Sequence, residues 1–195
     1  MRKLTHEEIL ALRQENKSLP WNPIAFLLND IRSLYNVGAI FRIADGLRAQ
    51  RMYLCGITGK PPERPITKTA LGAERIVPWE YHENAHELVQ ELKVSGHQIV
   101  VMEHTDESIP YDEIGARGHV PLQFPICLIV GNEVSGVDPD LVSLADLAVE
   151  IPMCGEKNSL NVSVAAGIVS YHMLTELEKQ GRIFQGSASS RSISR

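Results

Sequence analysis

Apolar positions along the chain follow two rhythms, and their alternation predicts the order of elements. Short apolar runs, each closed by a polar or glycine-bearing loop, read as buried strands over 23–28, 52–55, 75–81, 98–103, 126–130 and 147–151. Helical spacing appears between them: the stretch 35–47 carries Val37, Ile40, Phe41, Ala44 and Leu47 on one face, with Asn36 where an N-cap would sit. Thr5 with Glu8, and Asn84 with Glu87, form capping boxes that open helices over 6–16 and from 84 through Lys93. Asp138 as N-cap and Pro139 at the first helical position open another through Leu144. A helical turn covers 67–71, and the last helix runs from Asn161 to Lys179.

This alternation predicts an α/β fold, a parallel sheet covered by helices on both faces. In such sheets ligands bind at the carboxyl ends of strands. Attention therefore falls on the loops that open with Gly131-Asn132-Glu133 and with Pro152-Met153. Turns, proline and Gly115-Ala116-Arg117-Gly118 make 105–125 a long connection. The organisation expected is a helical extension over 1–20, one compact domain over 21–180 and a disordered tail over 181–195.

Charge changes this picture modestly. The chain of 195 residues has a formal net charge of -5 and a pI near 5.8, which counts against a general nucleic-acid binder. Its cations are concentrated, however: Arg32, Arg42, Arg48, Arg51, Lys60, Arg64, Lys68 and Arg75 lie between Asp30 and Arg75 against only Asp30, Asp45, Glu63 and Glu74. Such a segment can form one basic face on an acidic protein. No apolar stretch approaches the roughly 20 residues that span a bilayer, and the opening MRKLTHEE has no apolar leader core. A soluble, cytoplasmic protein with no membrane partner is the expectation. Cys55, Cys127 and Cys154 are odd in number and widely spaced, so reduced thiols are expected rather than a disulfide frame.

Several common chemistries are excluded by spacing. His82-Glu83-Asn84-Ala85-His86 matches the zinc-protease pattern, but the capping signal at Asn84 places His82 before the helix, where it cannot share a face with His86. No metal site is expected. Neither a dinucleotide glycine fingerprint nor a phosphate-binding loop is present, since Gly131 to Gly136 continues with Val137-Asp138. A serine-hydrolase elbow is also missing.

Three segments, in order, resemble the three motifs of the SpoU/TrmH branch of the SPOUT RNA methyltransferases. The first is Asn36-Val37-Gly38-Ala39-Ile40-Phe41-Arg42, similar to N-x-G-x-x-x-R. The second is the strand Leu128-Ile129-Val130 ending in Gly131-Asn132-Glu133, with Gly136 following. The third is Ile151-Pro152-Met153-Cys154-Gly155, continued by Ser159-Leu160-Asn161-Val162-Ser163. Val134, where relatives commonly carry a small residue after the glutamate, is a departure.

The resemblance implies a parallel-sheet SPOUT fold with a deep C-terminal trefoil knot, and an S-adenosylmethionine-dependent methyl transfer to a ribose 2′-hydroxyl of tRNA or rRNA. It places the cofactor among the loops after Glu103, Gly131 and Ile151, with Val130 at a strand end. Gly131 would admit close backbone approach, and Ile151, Met153 and Leu160 would sandwich the adenine. Arg42 becomes the catalytic residue; a guanidinium stays protonated in proteins, so its role is to stabilise the developing alkoxide rather than to act as a base. Asn36 would position RNA and the third-motif loop, Glu133 would orient Arg42 or Asn36, and Ser159 and Asn161 would contact substrate or cofactor. The family also implies a homodimer. Arg32, Arg48, Arg51, Lys60, Arg64 and Lys68, with Arg191 and Arg195 in the tail, would supply RNA contacts. Each residue has a plainer reading: Asn36, Ser159 and Asn161 as caps, Arg42 as an ion-pair partner of Asp45, Glu133 as charge compensation at a helix start, and the apolar three as core. Two other functions stay open, a non-catalytic RNA-binding or ribosome-assembly factor and a base-methylating enzyme.

Overall fold

The two longest fully or nearly fully buried apolar runs, 22–29 and 126–130, lie side by side in the middle of the sheet. The computed structural model describes residues 2–115 and 120–181. The expected tail beyond Gly181, with Arg191 and Arg195, and residues 116–119 of the long connection lie outside the described residues. In chain order the elements are α1 (His6–Asn16), β1 (Asn22–Asn29), α2 (Leu34–Gly46), β2 (Ala49–Cys55), α3 (Arg64–Ala70), β3 (Trp79–His82), α4 (Ala85–Val94), β4 (Gln98–Met102), β5 (Ile109–Pro110), β6 (Ile126–Val130), α5 (Pro139–Leu144), β7 (Leu147–Glu150) and α6 (Val162–Lys179). The strands form one sheet, parallel throughout, in the order β3-β2-β1-β6-β4-β7-β5.

Register sets the position of the site. Leu28 pairs with both Leu54 and Val130, Met102 pairs with Val130, and Val149 pairs with Met102. Asp30, Glu103, Gly131 and Glu150 therefore emerge along one rim, at the carboxyl ends of neighbouring strands. Side-chain alternation divides the core in two. Ile24, Phe26, Leu28, Ile126, Leu128 and Val130 pack with α2, α3 and α6, whereas Ala25, Leu27, Cys127, Ile129, Ile99 and Val101 pack with α4 and α5. Cys55 and Cys127 are buried free thiols, and burial pushes the Cys55 thiol up to about 12, which leaves it unreactive. Cys154 is free and exposed. No helix among the described residues is long and apolar enough to cross a membrane.

Local signals hold at most element starts. Thr5 and Glu8 make the reciprocal capping box, and Asp138 caps α5 through the amide of Asp140 at 2.9 Å. Asn84 accepts from the amides of His86 and Glu87 and also donates to the Glu87 carboxylate at 2.9 Å. Several elements differ from the sequence reading, including β5 inside the expected long connection and β2, which starts at Ala49. Helix α2 starts at Leu34 with Ser33, not Asn36, as its N-cap; the Ser33 hydroxyl accepts from the Asn36 amide at 3.3 Å. This puts Asn36 inside the first turn and frees its side chain for other contacts. The helical turn near 67–71 is a full helix from Arg64, with Pro65 in its first turn. The strand expected over 75–81 is shortened to Trp79–His82, because Ala73–Arg75 forms a 3-10 turn.

Helices α2 and α3 cross at Gly38. A Cβ there would stand 2.0 Å from Thr69 Oγ1 and 2.4 Å from the Ile66 carbonyl, so close packing alone accounts for this glycine. Gly38→Ala is expected to destabilise the fold by about 1–3 kcal/mol through overpacking. A shift of the urea midpoint to lower concentration checks this; an unchanged midpoint would show that α3 yields without cost.

Candidate active site

Helix amino termini leave main-chain amides without intrahelical acceptors, and the site is built on two of them. At the start of α2 the Glu133 carboxylate accepts from the amides of Arg32 at 3.0 Å and Ser33 at 3.1 Å, and from Asn36 Nδ2 at 2.7 Å. At the start of α6 Asn161 is the N-cap, its Oδ1 accepting from the amides of Ser163 at 3.0 Å and Val164 at 3.4 Å. Asn161 Nδ2 then donates to Asn36 Oδ1 at 3.1 Å. A polar chain Glu133–Asn36–Asn161 thus joins the first, second and third motifs. Burial works against the Glu133 charge, but the bonds from Asn36, Arg32 and Ser33 outweigh it and hold the carboxyl below its ordinary value.

Beside this chain lies a cleft of about 380 Å³ on the rim of β4, β6 and β7. Gly131 and Gly136 form its floor, and its lining includes the acidic Glu103, Glu133 and Glu150 and the apolar Met102, Ile151 and Leu160. The loop after β6 closes on itself: Asn132 and Gly136 exchange main-chain bonds at 2.9 Å, and Asn132 Nδ2 donates to the Asp30 carbonyl at 2.7 Å. Gly131 serves this closure, since a Cβ would lie 2.3 Å from the Gly136 carbonyl carbon and from the Val137 nitrogen. Gly136 has φ 75°, and a Cβ there would meet Glu103 Oε2 at 2.2 Å. That same oxygen accepts from the Val137 amide at 2.8 Å, fixing the cleft floor to β4.

Of the residues singled out in the sequence, Glu103, Gly131, Glu133, Ile151, Ser159, Leu160 and Asn161 line the cleft. Asn36 adjoins it through Glu133 and Asn161. Val130 is buried in the strand beneath, and Met153 is not part of the lining. Arg42 is exposed on α2, outside the lining, and has no hydrogen bond or ion pair to any described residue, Asp45 included. The basic residues divide. Arg32, Arg64 and Lys68 are exposed, Lys68 lies 6.0 Å from the Tyr35 ring centroid, and Lys60 sits 3.7 Å over Tyr81. Arg48 instead donates to the carbonyls of Leu19 and Pro20 and stacks on Trp21, while Arg51 pairs with Glu80 at 2.7 Å. Sequence reasoning missed His104, which joins Glu150 to Asn158 across the cleft wall; its one signal is its place directly after a strand that ends on the site rim.

A larger cavity of about 840 Å³ opens elsewhere on the rim, between the ends of β1 to β3 and the starts of α4 and α5. Its lining includes Asp30, Glu83, Glu87, Glu91, Asp138 and Asp140, and none of the three motifs' cleft residues. His82 ends β3 while His86 lies in the first turn of α4, so the two do not share a helix face. The smaller cleft, where the motifs converge, is the one with site chemistry.

A cleft at the carboxyl rim of an all-parallel sheet, walled by three strand-end loops and joined to two helix amino termini, is where α/β proteins of this class bind their ligands. The profile of the SpoU rRNA methylase family matches residues 23–171, and the chain belongs to that family of S-adenosylmethionine-dependent RNA methyltransferases. It is similar to the tRNA (guanosine(18)-2′-O)-methyltransferase of Aquifex aeolicus strain VF5, 31% identical over 188 residues that cover 95% of this chain and 82% of that protein. Among solved structures it resembles the A. aeolicus TrmH/SpoU tRNA modifying enzyme, with a TM-score of 0.75 at 31% identity over 93% of this chain and 88% of that one. It also resembles the AdoMet-bound rRNA methyltransferase of Sinorhizobium meliloti, with a TM-score of 0.69 at 26% identity over 87% and 60% of the two chains. The cleft suits this cofactor chemically: carboxylates match its sulfonium and ammonium charges, and Ile151 and Leu160 offer apolar surface to an adenine.

Because the Glu133 carboxyl is depressed in the folded chain, its contribution to stability is present above its ordinary value of about 4.3 and lost as pH falls through the depressed one. Glu133→Gln is therefore expected to cost a few tenths of a kcal/mol at pH 7, because Glu133 is exposed and its charge is screened by solvent, and less at pH 3 than at pH 7. Urea unfolding of both proteins at the two pH values tests the sign; an equal cost at both would remove the charge from the explanation.

Proposed function

We propose that this chain transfers the methyl group of S-adenosylmethionine to a ribose 2′-hydroxyl of tRNA, with the Glu133–Asn36–Asn161 chain beside the cleft as the observation that carries the reading. The cofactor, when bound, supplies an electrophilic methyl on a sulfonium. The 2′ oxygen forms the new O–C bond as the S–C bond breaks, its proton passing to water and S-adenosylhomocysteine remaining. The protein's task is to align the hydroxyl and to stabilise its developing negative charge. Asn36 and Asn161, locked to each other and to Glu133, fix the cleft border. Arg42 is the cation for the oxyanion; its exposure and lack of an ion-pair partner among the described residues support that role. Glu103, Gly131, Ile151, Ser159 and Leu160 hold the cofactor, and Arg32, Lys60, Arg64 and Lys68 contact RNA phosphates.

A homodimer completes this site. Within one chain Arg42 lies outside the cleft lining, and α6 exposes Val164 and Tyr171, seven residues apart on one face beside α2. Pairing through α2 and α6 brings Arg42 of the partner subunit toward the cleft. The C-terminal part is knotted in this reading: α6 holds the 103–125 connection from one side, by His172 to the Ile114 carbonyl and Gln180 to the Leu122 carbonyl, while the start of that connection holds the loop before α6. Residues 21–180 form the catalytic domain, preceded by a helical extension over 1–20, and the enzyme works in the cytoplasm, where tRNA is modified.

Labelled methyl transfer to unmethylated tRNA, followed by nucleoside analysis, is expected to yield a 2′-O-methylated nucleoside, with guanosine the first to examine. A methylated base would overturn the ribose reading, and no transfer to tRNA or rRNA would overturn the enzymatic one. Arg42→Ala is expected to lower transfer by about 10²-fold or more while calorimetric cofactor affinity stays within about twofold of wild type. A large loss of cofactor binding would mean that Arg42 belongs to the cofactor site.

A further inference from the structure

The loop over 152–160 forms one wall of the cleft through Asn158, Ser159 and Leu160, yet it is hardly tied down. Among the described residues its one hydrogen bond is from His104 Nε2 to the Asn158 carbonyl at 3.0 Å. On the opposite side of the same ring, Nδ1 lies 3.0 Å from Glu150 Oε2, and Ser108 Oγ donates to that carboxylate oxygen at 2.6 Å. Both ring nitrogens thus face oxygens that can only accept, a carboxylate and a main-chain carbonyl. A neutral imidazole has a single N–H and can satisfy one of them; both bonds require the imidazolium. Once neutral, the ring keeps its proton toward the stronger acceptor, Glu150, and turns a lone pair toward the Asn158 carbonyl.

We propose that His104 is a positioning residue that, as an imidazolium, clasps the 152–160 loop to the edge of β7, and that its deprotonation frees the loop and weakens cofactor binding. The inference rests on the placement of S-adenosylmethionine in this cleft. The charged groups facing the ring are Glu150 from β7 and Glu103 at the end of β4; the loop itself offers a carbonyl. The bond to Glu150, partly offset by burial and aided by the Asn158 carbonyl and the Glu103 charge, raises His104 above its ordinary value. Ser108 and then His104 hold the Glu150 carboxyl below its own. A raised histidine stabilises the closed loop fully below about pH 6.5 and loses that effect as pH rises through the raised value. The Glu150 side of the clasp fails only in acid, as pH falls through its depressed value.

Three readouts test this. In ligand-free wild-type protein, the His104 ring resonance, assigned with His104→Gln, is expected to titrate above 6.5, and the methyl resonances of Met153 and Leu160 are expected to follow it. Calorimetry is expected to show the wild-type Kd for S-adenosylmethionine rising roughly fivefold to tenfold from pH 6 to pH 9, and His104→Gln showing the weaker value throughout. The clasp is overturned if His104 titrates at or below its ordinary value, if the loop methyls ignore its titration, or if wild type and His104→Gln share one pH profile. Wild type that fails to bind S-adenosylmethionine at any pH would instead overturn the cofactor placement, and the ligand-free titration would still decide the clasp.

Discussion

The main-chain amides of Arg32 and Ser33, just ahead of α2, find no acceptor in that helix, and the carboxylate that accepts them comes from Glu133, 101 residues further along the chain from Arg32. The two bonds tie the end of β6 to the start of α2. The remaining hydrogen bond of that carboxylate orients Asn36, and Asn36 in turn receives Asn161 at the head of α6. Capping, usually a local affair, is here the device that assembles three distant segments into one border of a cleft.

The two sides of that cleft differ in how firmly they are built. The floor is dense: Gly131 and Gly136 touch backbone to backbone, Asn132 is bonded to the loop and to Asp30, and Glu103 holds the Val137 amide. Any side chain at either glycine would force these groups apart. The 152–160 wall, by contrast, hangs between β7 and α6 with one hydrogen bond, from His104, among the described residues. A rigid floor with a lightly held wall suits a ligand that must enter, be aligned and leave as a product of nearly the same size.

Charge is distributed by the same logic. Net acidity says little about where the cations are, and several of them are committed to the fold: Arg48 binds carbonyls ahead of β1, and Arg51 is neutralised by Glu80 on β3. Lys60 and Lys68, on the segment between β2 and β3, lie near the exposed rings of Tyr81 in β3 and Tyr35 in α2. Such pairs offer a phosphate contact and a stacking surface side by side. Arg42 stands apart, exposed on α2 with no partner among the described residues.

Short-range signals carried much of the fold. Apolar runs located the central strands, Thr5 and Asp138 placed helix starts, and the second and third motifs pointed to the strand ends that form the rim. All depend on neighbours within a few residues, so they are readable from the chain alone. What the chain alone did not decide depends on residues far apart in it. Asn36 looked like a cap, but Ser33 took that position once Glu133 arrived at the adjacent amides. Gly131 looked like space for a ligand, yet its missing Cβ makes room for Gly136 and Val137. His104 carried no motif, because its meaning comes from Glu150 and Asn158 standing on either side of it, and only the β4–β7 pairing and the return of the chain toward α6 bring them there.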